Sequence, residues 1–69
     1  MTQKELLYVE DAIGHEGNII KICQDAVTKL EDESLVKFME DEINRHKSTK
    51  EKLMNMLEAK ANEWSDSYG

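Results

Sequence analysis

A chain of 69 residues with fifteen acidic and nine basic side chains, a net charge of -6, no proline, three glycines and one cysteine is at most one small domain. Its acidic balance argues against nucleic acid and anionic membrane surfaces as partners, because both are held by clustered Lys and Arg. The lone Cys23 allows no intrachain disulfide and no Cys/His spacing offers structural zinc, so a domain too short to be stable unaided is left with self-association.

Glu, Lys, Leu, Met and Ala are plentiful, which is the composition of long helices, and the expected class is all-α. No apolar run approaches the ~18 residues of a spanning helix, and Met1-Thr2-Gln3-Lys4-Glu5 lacks the apolar core of a secretory signal. A soluble, cytoplasmic protein is therefore expected, and an unpaired cysteine suits a reducing compartment.

Taken in order, Thr2-Gln3-Lys4-Glu5 matches a capping box and opens a helix at about residue 3. From there Leu6, Val9, Ile13, Glu16, Ile20, Cys23, Val27 and Leu30 recur at alternating spacings of three and four, the seam of a helix packed on other helices. Ile19, Ile22 and Ala26 widen its apolar face. Gly14 and Gly17 each cost about 1 kcal/mol relative to Ala in a helix. Either Gly17 ends a first helix and Asn18 caps a second, or one helix continues and its glycines admit a backbone, or a bulky side chain such as His46, beside Glu16. The unbroken phase of the seam favours one helix running to about residue 31.

Asp32 reads as the N-cap of a second helix with Glu33 in its first turn, so the link at 32–34 is very short and the helices are antiparallel. That second helix is expected over about 33–64, with Val36, Met39, Ile43, His46, Lys50, Leu53, Leu57, Ala61 and Trp64 in its seam and Leu35, Glu42, Thr49 and Met56 beside it. Met54 and Met56 read as ordinary gap-filling side chains. Residues 65–69 have no period and read as a disordered tail.

Folding the hairpin brings together residues whose numbers sum to roughly 65, because both helices rise equally. Glu10, Asp11 and Glu16 then lie beside Arg45, Lys47, Lys50 and Lys52, and Lys21 approaches Glu40 to Glu42. Glu16 comes level with His46 and Thr49 in the polar middle of an otherwise apolar seam. A carboxylate there must be paired, hydrogen-bonded or metal-bound. The reading favoured is a Glu16–His46 hydrogen bond; the alternative is a metal site (iron, manganese or zinc) built from Glu16, Glu42 and His46 across a dimer axis. His15 points to a surface or boundary position, and Cys23 has no basic neighbour to make it reactive.

The segment Asp41-Glu42-Ile43-Asn44-Arg45-His46-Lys47, the acidic turn Glu31-Asp32-Glu33-Ser34-Leu35 and the closing Lys52-Leu53-Met54-Asn55-Met56-Leu57 resemble the hairpins of ferritin-like spore coat proteins, the spore coat protein F family among them. The resemblance runs from about Leu6 to Trp64. It implies a small coat-associated protein of endospore-forming bacteria, and carries over no enzymatic residue, since Ile43 rather than an acid stands three before His46.

These observations lead to a non-enzymatic structural or assembly protein: an antiparallel two-helix hairpin that forms a four-helix bundle as a homodimer, or at higher order a tetramer. The self-association surface is expected to include Ile13, Ile20, Cys23, Val27, Ile43, Leu53, Met56 and Leu57.

Overall fold

The computed structural model describes the backbone of residues 1–68 and the side chains of residues 1–61. Two helices, α1 (Gln3–Val27) and α2 (Glu33–Tyr68), form an antiparallel hairpin, and no strand occurs among the described residues.

Helix α1 starts where its sequence demands. Thr2 Oγ1 accepts from the Glu5 backbone N–H at 3.1 Å, and Glu5 Oε1 accepts from the Thr2 N–H at 2.8 Å, so two backbone donors that the helix cannot satisfy internally are met reciprocally. These hydrogen bonds hold the Glu5 carboxyl below its ordinary value of 4.5. The helix then runs unbroken through both glycines, so no third helix forms.

Neither glycine is explained by a close approach. A Cβ at Gly14 would meet nothing within 4 Å, and one at Gly17 would meet only the Lys50 ammonium at 3.6 Å, an ordinary contact with the mobile end of a side chain. The expected intrusion of a backbone or of His46 at these positions does not occur within the hairpin.

Helix α1 stops at Val27 rather than near residue 31, and the connection occupies 28–32 rather than 32–34. The local reason is visible in the last turn. The Thr28 hydroxyl donates to the Asp25 carbonyl at 2.7 Å, while the Lys29 and Leu30 N–H groups both donate to the Ala26 carbonyl, tightening the chain away from helical progression. Asp32 then caps α2: its Oδ1 accepts from the Ser34 N–H at 2.9 Å, the Ser34 hydroxyl at 2.6 Å and the Leu35 N–H at 3.3 Å. The Ser34 hydroxyl, with the two backbone donors, lowers the Asp32 pKa from its ordinary 3.8.

With 25 residues in α1 and 36 in α2, the second helix outruns the first by more than two turns. It continues to Tyr68, beyond the expected stop at Trp64. The side chains of residues 62–69 and the whole of Gly69 lie outside the described residues, and with them the expected seam position of Trp64 and the expected tail.

Between the helices most of the seam is as its spacing requires, but Leu30 falls in the connection and Ala61 is exposed, because α1 ends at Val27 and its start leaves that end of α2 uncovered. Leu6, Val9, Ile13, Glu16, Cys23 and Val27 are half-buried against Val36, Met39, Ile43, His46, Lys50, Leu53 and Leu57. Ile20, 8% exposed, is the one buried hydrophobic side chain among the described residues. A single contact line between two helices covers only one stripe of each, so the hairpin has a seam but scarcely an interior. The molecule measures 54 × 16 × 12 Å, and its radius of gyration is 16.1 Å. A compact chain of this length would have a radius of about 11 Å.

Candidate functional site

The polar middle of the seam is built on one level of the hairpin. The 3/4 spacing that carries Ile13 and Ile20 into the seam also carries Glu16 there, and the spacing from Ile43 to Lys50 carries His46. His46 Nδ1 donates to Glu16 Oε2 at 2.5 Å, a short bond between the two helices. On the other side of the ring, Nε2 lies 3.5 Å from Glu42 Oε2, and Glu42 Oε1 lies 3.5 Å from Arg45 Nη1. His46 and Glu16 are 23% and 18% exposed, enough to thin the solvent without excluding it.

Each imidazole nitrogen therefore faces a carboxylate. A neutral ring has one N–H and a protonated ring two, so the full arrangement Glu16–His46–Glu42 is complete only around an imidazolium. Chemically it is a clamp: the Glu16–His46 hydrogen bond ties α1 to α2, with a second carboxylate, Glu42, on the far side of the ring. No group of three His, Cys, Asp or Glu side chains among the described residues converges in a way that could hold a metal. The structure thus brings Glu16, Glu42 and His46 together and uses them on one another. No buried side-chain polar atom among the described residues lacks a partner.

Other charges expected to pair across the hairpin do not. Lys21, Lys47 and Lys52, all exposed, and half-buried Lys50 make no ion pair among the described residues; holding a long side chain in one geometry costs as much freedom as such a contact returns. Thr49, expected level with Glu16, instead donates to its own helix at the Arg45 carbonyl, 3.1 Å away. His15 is exposed, and Cys23 is a half-buried free thiol in the seam.

The larger chemical feature is apolar. Leu7, Tyr8, Ile22, Leu35, Phe38, Met54 and Met56 are 46% to 66% exposed. Of the side chains expected at an association surface, Ile13, Ile20, Cys23, Val27, Ile43, Leu53 and Leu57 line the seam between α1 and α2, and Met56 alone is freely exposed.

A second row explains most of the exposure. On α1, Tyr8, Ala12, His15, Ile19, Ile22 and Ala26 repeat at spacings of four and three, a seam displaced by about 100° from the first. On α2, Leu35, Phe38, Glu42, Arg45, Thr49, Lys52 and Met56 do the same. Both rows are displaced in the same rotational sense, and because antiparallel helices reverse that sense when viewed from one end, both emerge on one face of the hairpin. The opposite face presents Glu10, Lys21, Glu40, Lys47 and Glu58, with Met54 over a shallow groove. Tyr8 and Phe38 were missed by reading one seam per helix, although their spacing was there to be read.

No helix among the described residues is long and apolar enough to cross a membrane. The chain matches no family model, no curated protein and no solved structure, so neither the spore coat family nor any ferritin-like protein is identified by comparison.

Proposed function

We propose that this chain is a non-enzymatic assembly module whose activity is self-association: two hairpins pack as a four-helix bundle, and the bundle is the functional unit of a structural protein. The observation that carries this reading is the mismatch between apolar content and burial. Accessible surface is 5567 Å², whereas a compact monomer of the same 8.0 kDa mass would expose about 4,450 Å². The excess, about 1,100 Å², is of the order that one partner buries in a stable protein–protein interface. A hairpin with one buried hydrophobic side chain among its described residues has little to oppose its conformational entropy, and pairing supplies the missing interior.

The role of the Glu16–His46–Glu42 clamp in this reading is to set register. A polar pair inside an apolar seam penalises every slip that would strand it among Ile and Leu, which is the best-attested use of such groups in helical bundles. Sedimentation equilibrium on tag-free protein tests the proposal, which requires at least twice the chain mass. Metal content of the same sample distinguishes it from a metal protein built on these three residues.

A further inference from the structure

Resting on that self-association, we propose that the face carrying Tyr8, Ile22, Phe38 and Met56 is where a second copy of this chain docks, with the two hairpins antiparallel so that their loops lie at opposite ends of the bundle. Five of the seven large exposed apolar side chains among the described residues, Tyr8, Ile22, Leu35, Phe38 and Met56, sit on this one face. The other face is charged and carries both helical glycines, which no neighbour in the hairpin requires.

The orientation follows from pairing. His15 and Lys47 adjoin the Glu16–His46 contact and so mark one level of the hairpin. A two-fold axis at that level, lying in the plane between the copies, sets residues equidistant from His15 or from Lys47 against each other. Tyr8 and Ile22 are each seven residues from His15, Phe38 and Met56 each nine from Lys47, and Glu42 and Lys52 each five from Lys47. Tyr8 therefore meets Ile22 of the second copy, Phe38 meets Met56, and Glu42 meets Lys52. In these three pairs apolar groups meet apolar groups and the acid meets a base. An axis along the bundle, with both loops at one end, instead stacks α1 on α2 of the second copy in the hairpin's own register. That puts the Glu42 carboxylate over Ile19 and Ile22 and sets no acid of this row against Lys52, so the charges gain no partner across the interface.

The test is covalent. In a Cys23→Ala background, Phe38→Cys with Met56→Cys places the two thiols about 27 Å apart within one chain, beyond the reach of any intrachain disulfide. Oxidation is expected to convert most of the protein to a disulfide-linked dimer that reduction reverses. Wild-type protein treated with a carbodiimide is expected to yield an amide between Glu42 and Lys52, residues about 15 Å apart in one chain and therefore joined only between copies. A stable dimer that gives neither link overturns the face and orientation while self-association stands, and a monomer overturns both.

Discussion

His46 is the residue on which the hairpin's register turns, since its ring nitrogens reach a carboxylate on each helix. Removing one partner strands the other in a seam that is only about one-fifth exposed, so Glu16→Leu or His46→Leu is expected to cost on the order of 1 to 3 kcal/mol. The double replacement should cost less than the sum, because an apolar pair fits that seam without stranding anything. Chemical denaturation of the four variants measures this, and strictly additive effects would mean the clamp contributes nothing as a pair. Two other carboxylates contribute to the acid limb of stability. Glu5 and Asp32 have folded pKa values below the ordinary 4.5 and 3.8, so each contributes stability above those values and loses it as pH falls through the lowered folded ones. Glu5→Gln and Asp32→Asn should each flatten the loss of helix seen by circular dichroism below about pH 4.5. An unchanged acid limb would show that the caps do not form in solution.

At the scale of the element, α1 carries two glycines with space beside them, and this contradicts the close approach that their cost first suggested. Gly14→Ala and Gly17→Ala are each expected to stabilise by about 0.5 to 1 kcal/mol, through lower chain entropy in the unfolded state and better helix propensity. Thermal melts check this; a fall in Tm for either variant would place another backbone against that face and contradict the docking of a second copy on the other. The helices themselves were legible from residue spacing alone. Thr2 and Glu5, Asp32, and the uninterrupted phase from Leu6 to Val27 predict both N-termini and the single α1. The C-terminus of α1 was not legible, because it depends on Thr28 and on two N–H groups sharing the Ala26 carbonyl, a tightening that no Gly or Pro announces. Glu16 and His46 were placed together by register, yet the third partner was clearer in space than in sequence: Glu42 lies beside the ring through its own helix, four residues earlier.

At the scale of the whole molecule, a 54 Å hairpin with one buried hydrophobic side chain among its described residues has a seam but scarcely an interior, which is what the proposed pairing would supply. Ile22 and Leu7 separate the hairpin's needs from the bundle's, because they are 66% and 61% exposed in the single chain. If the hairpin were the complete fold, Ile22→Asp and Leu7→Asp would be equally mild. The bundle account expects Ile22→Asp to abolish association and helicity together, since folding and pairing are linked in small obligate dimers, and Leu7→Asp to leave both nearly unchanged. By the same linkage the Tm of the wild type should rise with protein concentration. The most direct measurement is the solution mass of the tag-free chain by sedimentation equilibrium across the micromolar range. The account requires at least about 16 kDa, twice the 8.0 kDa of one chain, and an 8.0 kDa species that is helical and melts cooperatively would contradict it.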